Sequence, residues 1–339
     1  MIEYIILPDV DFSELRLLPH YRQWLVDWLK SIEGEVEDGV ISTSLCVQGV
    51  LAEILIYGKC RTDWNGILQV YLKNDLGKPL AYSKEYGKKL YRFNQWEQSP
   101  IHAVYAHWWI EKLTGASKKE LSSHSHFIEE LVQPSGWIYN PEVSKTNPRT
   151  RMKSELMMSL AMGIEILTYH DSVVEKKGLF EALLSSVPMT GYLSAEYFRL
   201  RALDYLGMIH LAPSNVSDVI TICEAGEGFC DFSIASKVDD YMGTAKRVSR
   251  DKALHSAISS LHANYIAARC GSDIVNMVNS KLRAFGKHLL SRPFDIQAFR
   301  MRDIDVPFGT DVSAFEVMGA SYIVSKWKDY DETRTTTNT

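Results

Sequence analysis

Apolar residues return every three or four positions along most of this chain, and that spacing constrains its fold more than any single motif. A period of 3.6 puts such residues on one stripe of a helix. Between Phe12 and Ile32 the stripe is Leu15, Leu18, Trp24, Leu25, Trp28, Leu29 and Ile32. Ile101 to Leu113 carries Tyr105, Trp108 and Trp109 and reads as a buried helix. Thr150 to Tyr169 has Leu156, Leu160, Gly163, Ile164 and Leu167 on its stripe, widened by Met157, Met158, Ala161 and Met162. That helix is expected to be buried on several sides, with Gly163 permitting close approach of another helix. Ser117-Lys-Lys-Glu120 has the spacing of a capping box and predicts a helix to Val132. Further helices are expected over Val173–Ser185, Ser194–Leu206 with Ser194 as N-cap, Lys252–Cys270, Ser272–Leu290 and Ser313–Trp327. The last opens on a second capping box, Ser313-Ala-Phe-Glu316.

Strand signals are few. Val40 to Tyr57 reads as a helix, with strand as the alternative because of its β-branched residues. Ile67–Leu72 and Val219–Cys223 read as short strands, the second followed by a turn at Glu224–Gly228. The expected fold is therefore mainly α with a few short β-strands, a multi-helix globular chain with no regular repeat and α+β as the variant. Turn residues cluster at Gln133-Pro-Ser-Gly136, Asn140-Pro141 and Asn147-Pro148. Residues before proline avoid the helical region, so this stretch is expected to be irregular and to divide the chain. The expected parts are an aromatic-rich helical N-terminal subdomain (1–140), a helical C-terminal subdomain with a basic surface (141–330) and a flexible tail (331–339).

Composition narrows the class. With 46% apolar and 11% aromatic residues the 339-residue chain has ample material for a core, which excludes a disordered chain. Five cysteines, an odd number without any CxxC, read as reduced thiols. Met1 to Pro8 lacks a basic region and its apolar run stops at Pro8, so it does not read as a signal peptide. No apolar run is long enough to span a bilayer. The expected location is the cytoplasm.

The net charge of −5 conceals an uneven split. Residues 246–302 hold eleven Lys and Arg against three Asp, net +8, which leaves −13 for the rest. Arg outnumbers Lys seven to four in that segment, and its planar fork matches phosphate and stacks on bases. Lys246, Arg247, Arg250, Lys252, Arg283 and Lys287 are the candidate phosphate contacts there, joined by a second basic run at Arg149, Arg151 and Lys153. Basic clusters attract the phosphate backbone by Coulomb steering and counterion release. The competing explanations are a solvated helix face and neutralisation by the acidic remainder, within the chain or across a protein interface.

Reaction chemistry is harder to find. His255, Ser259, His262 and Arg269 form a polar line beside the core stripe of their helix, which would suit acid–base and anion-clamping roles at a phosphorylated substrate. No nucleophile accompanies them, and half-buried boundary residues explain the same pattern. His102 with His107 and His124 with His126 lack the i, i+4 spacing of a helical metal pair. P-loop, GxSxG, HExxH, EF-hand and dinucleotide signatures are missing. No metal and no cofactor is expected. The sequence points to a non-enzymatic accessory subunit that binds nucleic acid through its basic C-terminal surface, with a protein partner or a second copy and no membrane. An enzyme acting on a phosphorylated or nucleotide substrate and a protein-interaction scaffold are the alternatives.

Overall fold

The computed structural model describes residues 15, 17–37, 43–73, 80–86, 89–94, 100–139, 153–172, 176–185, 192–212, 215–225, 228–229, 257–269, 272–291 and 314–328. They are mostly helical, with a few short strands, as the periodicity predicts. In chain order come α1 (Pro19–Ser31), α2 (Glu33–Glu37), α3 (Thr43–Tyr57), α4 (Trp64–Lys73), β1 (Leu80–Tyr86), β2 (Lys89–Asn94), α5 (Pro100–Leu113) and α6 (Lys118–Glu129). Then follow α7 (Lys153–Tyr169), α8 (Lys176–Ser185), α9 (Leu193–Tyr205), α10 (Asp218–Ile222), β3 (Glu224–Ala225) and β4 (Gly228–Phe229). The order closes with α11 (Ala257–Ala267), α12 (Ser272–Ser291) and α13 (Ala314–Lys328). Among the described residues no helix is long and apolar enough to cross a membrane.

The chain forms two compact units. One comprises Met1–Ile5, Trp28–Thr190 and Phe198–Pro213; the other comprises Ile6–Asp27, Gly191–Tyr197 and Ser214–Thr339. In the first, α5 packs against α3, α6 and α7, and α6 and α8 also lie on α7. The hairpin of β1 and β2 is antiparallel, pairs Ser83 with Arg92 and Glu85 with Leu90, and lies along α4 and α5. In the second unit α11, α12 and α13 pack on one another, and α10 and β4 sit on α11.

Several expectations hold in detail. Ser117 and Glu120 form the complete capping box, with Ser117 N donating to Glu120 Oε2 at 2.7 Å and Glu120 N donating to Ser117 Oγ at 3.4 Å. Every residue from Met157 to Leu167 is buried, so α7 has no solvent face over that span. A Cβ on Gly163 would stand 3.3 Å from Ile128 Cγ2 of α6, and the tightest approach, 2.5 Å, is to Ile138 Cδ1, which is outside any helix. Other expectations are corrected. The helix predicted from Phe12 begins at Pro19, a residue whose fixed φ and missing N–H suit the first helical position. The helix predicted to Val132 ends at Glu129, and Val132 instead bridges Ile138. Ser194 lies inside the first turn of α9, and Tyr192 O accepts the first helical bond, from Glu196 N at 3.2 Å.

Ile67–Leu72 is helical, because Asp63 caps α4 by accepting Gly66 N at 3.0 Å and Leu68 faces the core. Val219–Cys223 is a helical turn followed by a two-residue strand, with Val219, Ile220 and Cys223 all buried. Burial against α11 outweighs the β preference of this five-residue run. The strands β1 and β2 were not anticipated. The expected turns at 140–148, Ser313 and the 331–339 tail lie outside the described residues.

Two side chains fix the connections of the first unit. Glu53, on α3, accepts from Arg61 N at 2.7 Å, Thr62 N at 3.0 Å, Thr62 Oγ1 at 2.6 Å and Trp64 Nε1 at 3.0 Å. Burial pushes its carboxyl up, and these donors outweigh that, leaving it below the ordinary carboxylate value of 4.5. At the α6–α7 corner Glu129 takes Ser172 Oγ at 2.6 Å and His126 Nδ1 at 3.1 Å. Beside it burial lowers His170 from 6.5 to about 4, helped by the charges of Lys118, His124 and His126 and opposed by Asp171.

Both kinds of group shift stability in the same direction. Between pH 6.5 and about 4 the unfolded chain takes a proton at His170 that the folded chain refuses, so stability falls as pH falls. Below 4.5 the unfolded Glu53 is protonated before the folded one, which steepens the loss. The melting temperature is expected to decline from pH 7 towards pH 4, and His170→Asn is expected to flatten the upper part of that decline. A melting temperature independent of pH between 6.5 and 5 would contradict the assignment.

Candidate functional site

The amphipathic helix α12 carries the described part of the basic segment. Val278, Leu282, Phe285 and Leu289 repeat at helical spacing and are buried. That register turns Asp273, Asn276, Ser280, Arg283, Ala284 and Lys287 to solvent. Arg283 and Lys287 stand four residues apart, one above the other on the same helix face. Gly286 faces α13, and a Cβ there would make an ordinary contact, 3.6 Å from Ile323 Cγ2. Lys281 contributes less to the outer field, because its Nζ pairs with Glu224 Oε1 at 2.7 Å.

Just before α12, the exposed guanidinium of Arg269 lies flat on Tyr265, 3.4 Å from the ring centroid, and its Nη1 donates to Tyr265 O at 3.1 Å. Tyr265 meets Tyr197 edge-on at 4.9 Å, and Tyr197 stacks on His262 at 4.1 Å. A row of aromatic contacts thus runs from the surface at Arg269 to His262, which is 1% exposed. Of the three proposed acid–base residues, His262 belongs to the core and Arg269 to the surface, and His255 lies outside the described residues. Lys153 is the first residue of α7. Lys246, Arg247, Arg250, Lys252, Arg149 and Arg151 also lie outside the described residues.

No protein-family model, curated protein or solved structure matches this chain.

The most concentrated polar chemistry lies in the first unit and was not read from the sequence. Glu165 on α7 accepts from Arg201 Nη2 at 2.9 Å, from the Tyr205 hydroxyl at 3.1 Å and from the Tyr105 hydroxyl. Arg201 Nη2 also donates to Tyr205 Oη at 2.9 Å. The ion pair is deeply buried, with side-chain exposures of 3% and 6%. Burial, and then the charge of Glu165, pushes the Tyr205 hydroxyl up to about 12 and Tyr105 well above its usual range. Both phenols therefore stay protonated and act as donors. The cluster is closed: the carboxylate oxygens are taken up by protein donors, which suits holding three helices in register rather than turning over a substrate. The available signal was one carboxylate, Glu165, inside the apolar run from Leu160 to Leu167.

The histidines of α5 and α6 are likewise structural. His124 Nε2 lies 3.0 Å from Glu111 Oε2 in a buried pair, and His107 packs edge-on to His124 at 6.4 Å. Among the described residues no group of three or more His, Cys, Asp or Glu side chains is placed to hold a metal ion.

Proposed function

We propose that the protein is a non-enzymatic accessory subunit that binds nucleic acid by its phosphate backbone, through the basic C-terminal surface, and works in the cytoplasm with a protein partner. One observation carries the reading. A segment of net +8 sits in a chain of −5, and the described part of it turns Arg283 and Lys287 outward together from α12 while Arg269 is exposed beside that helix. Phosphates are the densest anionic partner such a surface can meet.

The test is a fluorescence anisotropy titration with DNA and RNA oligonucleotides over a series of salt concentrations. Binding is expected to weaken linearly on a log–log salt plot, as counterion release requires. Each lost phosphate contact lowers the slope by about 0.9, so Arg283→Glu with Lys287→Glu is expected to reduce it by about 2. The triple reversal of Lys246, Arg247 and Arg250 is expected to weaken binding further. Absence of binding at low salt, or binding unchanged in both variants, removes the proposal and favours a protein-interaction scaffold.

A further inference from the structure

A second group of side chains, on α5 and at the end of α7, has the geometry of a receptor for an organic cation. The indole of Trp108 stands nearly perpendicular to that of Trp109, at 85° and 5.5 Å, and to the ring of Tyr169, at 81° and 5.2 Å. Three rings so arranged form walls of a box whose π-faces are negative. The Lys112 ammonium sits inside it, 4.5 Å from the Trp108 ring, 4.7 Å from Trp109 and 4.8 Å from Tyr169. Trp108 is fully buried and Trp109 nearly so, so the walls are fixed by the core behind them.

Lys112 is an imperfect occupant. Its three N–H groups are donors, and what the ammonium rests against is three ring faces, with the Glu165 carboxylate acting on it through its charge. Burial lowers its basicity, with Glu165 opposing that change and Arg201 adding to it. The side chain is half-exposed, and its four-carbon stem can carry the ammonium out to water. A quaternary ammonium has no N–H to satisfy and a larger, more weakly hydrated cation to lay against the rings. A box of π-faces without hydrogen-bond acceptors prefers that chemistry.

We propose that Trp108, Trp109 and Tyr169 form a binding site for a quaternary or fully methylated ammonium group, and that Lys112 is its intramolecular occupant, displaced when the ligand enters. This site is separate from the basic C-terminal surface and stands or falls independently of it.

Tetramethylammonium chloride is the probe, titrated into the full chain with tryptophan fluorescence as readout and sodium chloride as the ionic-strength control. Lys112→Ala empties the box and is expected to bind the probe about tenfold more tightly than the unaltered chain. Tyr169→Leu in the Lys112→Ala background is expected to abolish the response. A second measurement needs no variant: acetic anhydride labelling of Lys112, read by peptide mass spectrometry. Saturating probe is expected to raise labelling at Lys112 several-fold and leave the exposed Lys59, remote from the box, unchanged. The proposal is overturned if Lys112→Ala binds no better than the unaltered chain or if Tyr169→Leu leaves binding intact. It is equally overturned if the probe does not alter labelling at Lys112.

Discussion

Glu165→Ala is expected to cost about 3–5 kcal/mol of folding stability, the loss typical when one partner of a buried ion pair is removed. The substitution leaves Arg201 charged, almost wholly enclosed and without its carboxylate. It also strips the Tyr105 and Tyr205 hydroxyls of their shared acceptor. The two effects have the same origin, since a desolvated donor without an acceptor forfeits the hydration it had in the unfolded chain. Glu165→Gln keeps one acceptor oxygen for Arg201 and is expected to be milder. A double replacement, Glu165→Leu with Arg201→Met, removes both charges and is expected to recover most of the loss, because a well-packed apolar pair matches or exceeds a buried ion pair. Urea unfolding of the four proteins measures all of this. A loss below about 1 kcal/mol in Glu165→Ala would mean that water reaches Arg201 and that the pair is not a buried one.

The second large effect is expected at Gly136. Its φ is +80°, in the left-handed region that side chains resist, and a Cβ there would lie 2.0 Å from the carbonyl oxygen of Gly178. The obstacle is backbone at the start of α8, which cannot rotate aside as a side chain would. Gly136→Ala is expected to lose at least about 2–3 kcal/mol, from strain in φ together with forced separation of two backbones. Gly207 supplies the control. Its φ is +72° with open space around it, so Gly207→Ala isolates the conformational part, about 1 kcal/mol. Equal losses at the two positions would show that the Gly136–Gly178 contact yields without cost.

What could be read beforehand follows the range of the interactions involved. The Ser117–Glu120 box spans three residues and is complete in the sequence itself. The burial of α7 was legible because Met157, Met158, Ala161 and Met162 widen its apolar stripe beyond one face. Short apolar runs misled for the opposite reason. Ile67–Leu72 and Val219–Cys223 are too brief for a period of 2 to be told from one of 3.6, and caps and burial decided them. At α4 the cap is Asp63, one residue before the helix. Glu165 meets Arg201 across 36 residues and Tyr105 across 60, so no local pattern announces the cluster. The aromatic box was half visible. Trp108, Trp109 and Lys112 are neighbours on one helix, whereas Tyr169 arrives from another.

The shielding of α7 also bears on how this protein is made. The helix leaves the ribosome with a mostly apolar surface from Met157 to Leu167 and the Glu165 carboxylate within it, while Arg201 has still to be synthesised. At about 5–20 residues per second the intervening 36 residues take seconds, during which α5 and α6 can screen only part of it. A nascent chain at that length presents a sticky, charged-core helix to the cell. Fragments that stop before Arg201 inherit the same condition permanently, and the first unit has its last segment only when the chain reaches Pro213.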